Sequence, residues 1–143
     1  MKQTQKRKRM PFQADLGQIK RLLYFPITLL MLAACASSAN LPNQVIEAYY
    51  QALTLKDLNT MISLACPEWE EQARNEYNSF GAVTTQLQDL KCETASQDQS
   101  KALVTCRGKI IANYENEVLE IDLSKLKFQV VQRGGNWLFC GYP

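Results

Sequence analysis

Apolar positions fall into three regimes along the chain. From Leu22 to Ala34 they form a nearly unbroken run, interrupted by Pro26 and Thr28. From Pro42 to about Asn78 they recur at helical intervals. Val45, Ile46, Tyr49, Ala52 and Leu53 lie three and four apart, the spacing that lines one helix face. Pro42 suits the first helical position, where a missing N–H costs nothing. Lys56-Asp57 breaks the pattern, and Asp57 is placed to cap a second short helix carrying Leu58, Met61, Ile62 and Ala65. Cys66-Pro67 ends it. Pro67 then opens a third helix through about Asn78, with Glu68, Glu70 and Glu71 in the first turn, where the helix dipole favours acids.

After Ser79-Phe80-Gly81 the grammar changes to strands. Val83–Cys92 alternates loosely, Thr94–Ser100 reads as polar loop, and Lys101–Tyr114 is rich in Val, Ile and Thr. Glu115-Asn116 predicts a tight turn into a third strand over Val118–Val131. There Leu119, Ile121 and Leu123 alternate, then Leu126, Phe128 and Val130 alternate in the opposite phase. A bulge near Ser124-Lys125 reconciles the two, because one extra residue flips the facing. Gly134-Gly135 turns the chain into a last strand, Trp137–Tyr142. Helices first and then four antiparallel strands predict an α+β domain with its helices on one sheet face.

Charge changes the picture of the leader. Lys2, Lys6, Arg7, Lys8, Arg9, Lys20 and Arg21 precede the apolar run, as in a secretory signal. The run of 13 residues reaches roughly 20 Å as a helix, short for a bilayer core of about 30 Å. Some twenty residues stand before it, so Met10 is an alternative start. Leu32-Ala33-Ala34-Cys35 resembles the lipobox of bacterial lipoproteins, in which the cysteine is diacylglycerated and becomes the new N-terminus. That resemblance implies a signal peptide over 1–34, lipidation at Cys35, a lipidated tether over 35–41, and a domain over 42–143. It places the domain on the extracytoplasmic face of the cell membrane. Several acyl chains hold firmly where one binds reversibly. Ala36 follows the cysteine, so the aspartate resembling an inner-membrane retention signal is absent, and the envelope type stays open. The same residues also allow an ordinary signal cut after Ala34 or an uncleaved anchor.

From Cys35 onward nine Lys/Arg meet thirteen Asp/Glu, a net charge of −4. A mildly acidic domain without a basic stripe excludes nucleic acid as the expected partner, because such binding needs a positive surface. Spending Cys35 on lipid leaves Cys66, Cys92, Cys106 and Cys140, an even set suited to an oxidising compartment. Four cysteines allow three pairings. Cys92–Cys106 would staple neighbouring strands and Cys66–Cys140 would tie the helical half to the last strand. No Cys-x-x-Cys spacing and no histidine occur, so neither a metal nor a cofactor is expected.

Val-Ile-Glu-Ala-Tyr-Tyr-Gln-Ala-Leu (45–53), Lys-Asp-Leu (56–58) and the closing Asn-Trp-Leu-Phe-Cys (136–140) resemble the nuclear transport factor 2-like superfamily. The resemblance covers 42–142 and implies helices packed in the concave face of a curved, cone-like sheet. Small extracytoplasmic lipoprotein variants of that fold are similar in carrying a cysteine after the second helix and another after the closing Trp. The superfamily implies either an enzyme with acid/base groups in the cone or a non-catalytic module for binding or assembly, as a homodimer or with an envelope protein. Enzymes of the ketosteroid-isomerase and polyketide-cyclase type bury a carboxylate in an apolar cavity. Asp122 and Glu120 are the catalytic candidates if their face points inward, and Ser63 has no histidine for a triad. The expected reading is non-catalytic. Tyr49, Tyr50, Trp69, Tyr114 and Trp137 are candidates for a pocket or interface, since pockets are apolar with a few polar tips and interfaces are anchored by Trp and Tyr. Tyr50 lies off the Val45/Tyr49 stripe and is expected to be exposed, with Trp69 on a partly solvated helix.

Overall fold

The computed structural model describes residues 40–143 apart from residue 116, so the leader, the lipobox and Cys35 lie outside the described residues. Three α-helices precede five strands among them. Helix α1 is Pro42–Thr54, with Pro42 in its first turn and the Leu41 N–H donating to Gln44 Oε1 at 3.1 Å. Its face Val45, Ile46, Tyr49, Ala52 and Leu53 is no more than 4% exposed. Tyr50, expected at the surface, is only 3% exposed. The helix lies so deep in the sheet that its flank is covered as well as its stripe.

Helix α2 (Leu58–Leu64) is capped by Asp57, whose carboxylate accepts from Thr60 N at 3.0 Å and Thr60 Oγ1 at 2.6 Å. The chain then touches the sheet, Cys66 N–H donating to Phe139 O at 2.8 Å. The expected third helix is a 3-10 turn, Pro67–Trp69, followed by α3, Glu70–Ser79. Lys56 Nζ donates to the Phe80 carbonyl, joining the ends of α1 and α3.

Strand β1 (Thr84–Gln97) runs five residues past Cys92, through much of the expected polar loop, and pairs antiparallel with β2 (Lys101–Tyr114). Their register shifts between Gln88 and Lys91, opposite Gly108. A Cβ on Gly108 would lie 2.6 Å from the carbonyl oxygens of Gln88 and Asp89, so only glycine fits this bend. Beyond it β2 changes partner. Lys109–Tyr114 pairs with β3 (Glu117–Asp122), while Lys101–Thr105 pairs with β4 (Lys127–Arg133). The predicted bulge near Ser124-Lys125 is a 3-10 turn, Leu123–Lys125, that splits the expected third strand in two. Strand β5 (Asn136–Phe139) returns beside β4 through Gly134-Gly135, giving the order β1-β2-β4-β5 with β3 on the far half of β2.

The core fills the concave side, where the helices pack against Val104, Ile110, Phe128, Val130 and Phe139, each no more than 2% exposed. Two disulfides are present. Cys92–Cys106 joins directly paired residues of β1 and β2, and Cys66–Cys140 joins the end of α2 to the end of β5. Among the described residues no helix is long and apolar enough to cross a membrane.

Candidate functional site

Trp69, Ala73, Glu76, Tyr77 and Phe80 recur at helical intervals, so α3 turns one carboxylate toward the core along with four apolar or aromatic neighbours. Glu76 is met there by tyrosines from two distant segments. Tyr49 of α1 donates its hydroxyl to Glu76 Oε2 at 2.9 Å, and Tyr142, beyond β5, donates to Oε1 at 3.1 Å. The Tyr50 and Tyr142 hydroxyls are 3.0 Å apart. Each phenol has one proton, and Tyr142 gives its own to Glu76. Tyr50 is therefore the donor to Tyr142, and the chain reads Tyr50 to Tyr142 to Glu76, with Tyr49 closing the other side.

Burial pushes the Glu76 carboxyl above the usual range, partly offset by the two phenol donors. Burial likewise raises Tyr49, Tyr50 and Tyr142, for which the neighbouring negative charge of Glu76 is a further cause. Beside this cluster is a cavity of about 150 Å³, walled by Leu53, Phe80, Ile110, Ile121, Leu123 and Leu126, with Tyr50, Glu76 and Tyr142 as its polar rim. Pockets that enclose drug-sized ligands run to roughly 300–1,000 Å³, so the present space suits a smaller group.

The aromatic rings hold this rim in place. Tyr142 meets Trp69 at 5.4 Å, Phe128 at 5.7 Å and Phe139 at 5.7 Å between ring centres. Gly141, at φ +109°, lets the chain pass under Trp69; a Cβ there would lie 2.7 Å from the indole ring. Trp69 Nε1 is buried and has no hydrogen-bond partner among the described residues.

Other sequence candidates fall elsewhere. Asp122 is exposed, its Oδ1 accepting from Ser124 N at 3.0 Å and Ser124 Oγ at 2.7 Å, bonds that hold its carboxyl below the usual range. Glu120 pairs with Lys109 Nζ at 2.6 Å on the outer face of β3. Neither reaches the cavity, because both alternate onto the face of β3 opposite Ile121, the one β3 residue that lines it. Val118 is 63% and Leu119 48% exposed, against the alternation that predicted Leu119 inside. Tyr114 is exposed at the far end of β2, beside a separate open depression with Ser79, Val83 and Glu117. Trp137 is buried, its backbone clasped by the Asn40 side chain. The expected last strand stops at Phe139, which frees Tyr142 to turn inward. Of the candidates, the structure brings together Tyr49, Tyr50 and Trp69. Glu76 and Tyr142 complete the group.

No family model matches the chain, and no curated protein does. Solved structures do resemble it. A SEC-C motif containing protein from Rhodopseudomonas palustris is 14% identical over 71% of this chain and 77% of that one, with a TM-score of 0.51. An NTF-2 like protein of unknown function from Shewanella oneidensis is 12% identical over 67% and 88%, with a TM-score of 0.48. An NTF2-like protein with a cystatin-like fold from Novosphingobium aromaticivorans is 7% identical over 90% and 87%, with a TM-score of 0.46. At these identities the likeness is one of fold.

Proposed function

We propose that this chain is a cell-envelope lipoprotein, held by acyl chains on Cys35 at the extracytoplasmic face of the membrane, whose domain is a non-catalytic binding module. The observation that carries the binding role is the state of Glu76. Both of its oxygens are committed to phenol donors beside an apolar cavity, an arrangement that fixes a polar contact point rather than leaving a free base. Two disulfides in so small a domain support an oxidising compartment, and the leader with its lipobox supports the anchor.

Intact mass of the membrane-extracted protein, with and without reductant, tests the address. Cleavage before Cys35, added acyl mass and four thiols released only by reductant are the expected result. An unprocessed chain with free thiols would overturn it. A fragment screen read on the methyl groups of Leu53, Ile110 and Ile121 tests the cavity, and no perturbation by any small molecule would remove the binding role.

One observation favours a second reading. Burial raises the Glu76 carboxyl, the direction that general acid or base work requires in enzymes of the ketosteroid-isomerase or polyketide-cyclase type. Under that reading Glu76, not Asp122, is the reacting carboxylate. Glu76→Gln would then abolish turnover of a bound molecule without abolishing its binding.

A further inference from the structure

Tyr142 stands on the rim of the cavity with its hydroxyl between Tyr50 and Glu76, and the bonds that hold it differ from those that hold the strand before it. Cys140 N–H donates to Gln129 O and Gln129 N–H to Gly141 O, both at 2.8 Å. Main-chain pairing ends there: among the described residues the Tyr142 N–H makes no hydrogen bond, and Pro143 has none to give. Tyr142 is 41% exposed and is fixed by its hydroxyl and by ring packing alone. Gly141 gives the backbone freedom on one side, while Cys66–Cys140 fixes the point from which any swing starts.

We propose that Tyr142 is a displaceable stopper, and that the site takes a neutral ring bearing one hydroxyl, which replaces the Tyr142 phenol between Tyr50 and Glu76. This rests on the reading of the cavity as a binding site. The chemical class follows from the two neighbours of the Tyr142 oxygen. It gives a proton to Glu76 Oε1 at 3.1 Å and receives one from Tyr50 at 3.0 Å. An ammonium has no lone pair for Tyr50, and a carboxylate has no proton for Glu76; a hydroxyl supplies both. The walls beyond, Leu53, Phe80, Ile110, Ile121, Leu123 and Leu126, receive the apolar body. While the stopper is in place the competent site is a minor population, so the apparent affinity is reduced by that fraction.

The test uses the full chain, oxidised, with 4-methylphenol (the tyrosine side chain as a free molecule) and 4-methylanisole, its methyl ether, whose oxygen accepts but cannot donate. Methyl signals of Ile110 and Ile121 report binding and, by their dispersion, folding. Tyr142→Ala is expected to bind 4-methylphenol about tenfold or more tightly than the unaltered chain, and about tenfold or more tightly than it binds 4-methylanisole. Tyr142→Phe, which keeps the ring packing but loses both hydroxyl bonds, is expected to fall between Tyr142→Ala and the unaltered chain. It also serves if Tyr142→Ala does not fold. Adding Glu76→Leu to either variant, which removes the acceptor for the ligand O–H, is expected to erase the preference for the phenol. Equal affinity of the variants and the unaltered chain would overturn the stopper while leaving the cavity a binding site. Equal affinity for phenol and anisole would overturn the hydroxyl class alone. No binding of either probe to any form would overturn both the stopper and the binding reading beneath it.

Discussion

Glu76 on α3 and the pair Glu120 and Asp122 on β3 are carboxylates of elements that also line the cavity, and the structure treats them in opposite ways. Glu76 is drawn inward, given two phenol donors and raised above the usual carboxyl range. Asp122 caps a surface turn and is held below that range by Ser124, while Glu120 pairs with Lys109 in water. The difference lies in what arrives from elsewhere. Tyr49 comes from 27 residues before Glu76 and Tyr142 from 66 after it. Among the described residues no comparable partner reaches Glu120 or Asp122, which stay exposed on β3.

The largest effect is expected from the covalent tie that holds the Glu76 end together. Cys66→Ala with Cys140→Ala opens a loop of about 75 residues, worth about 4.5 kcal/mol on the chain-entropy model. Cys92→Ala with Cys106→Ala opens about 15 residues, worth about 3 kcal/mol. Denaturant midpoints of the two double variants measure both, and the first is expected to fall further. It should also loosen Tyr142, seen as a change in Trp69 fluorescence that the second variant lacks.

Next in size is Tyr49→Phe. It leaves Glu76 Oε2 in a buried place without its donor, a loss of about 1–3 kcal/mol. Adding Glu76→Leu removes the stranded acceptor too, and is expected to restore part of the loss. Unfolding of the two single variants and the double would show a coupling of about 0.5–3 kcal/mol between the positions. Simple additivity would mean that the bond carries no net stability.

The order of elements was legible because burial imposes a period, 3.6 on helices and 2 on strands, and α1 keeps its period for a full 13 residues. The phase change in Leu119 to Val130 was legible too, as a break near Ser124, though a bulge and a 3-10 turn leave the same mark in sequence. What the period could not tell is which side of β3 meets protein. That depends on β2 bending at Gly108 and handing its second half to a strand of which all but Ile121 is exposed. Glu76 had a local signal, one acid in the stripe Trp69, Ala73, Tyr77 and Phe80. Its meaning came only from long-range partners. Tyr142 had none, because reading it as strand assigns it to the ladder it leaves.

Titration sharpens the same contrast. The folded chain holds the Glu76 proton more tightly than the unfolded chain does, so its contribution to stability is present at acid pH. That contribution is lost as pH climbs from the ordinary glutamate range through the raised value. Glu76→Gln should flatten this decline in a series of denaturation midpoints. Tyr49 and Tyr142, also raised, add a second decline once pH passes the ordinary tyrosine range, and that one should survive Glu76→Gln.

The smallest effects belong to β3, and there the slope should reverse. Ser124 bonds the charged form of Asp122, so its contribution is present above the ordinary aspartate range and is lost as pH falls through the lowered value. Asp122→Asn should therefore flatten the acid side of the curve and leave the decline due to Glu76 untouched. Glu120→Gln removes an exposed ion pair, which contributes about 0–1 kcal/mol and fades with salt. Its midpoint in high salt should coincide with that of the unaltered chain. Should Asp122→Asn instead flatten the limb assigned to Glu76, the two ends would be one electrostatic unit. β3 would then have to turn its Asp122 face toward the cavity in solution, and the division between a carboxylate held inside and carboxylates left in water would fail.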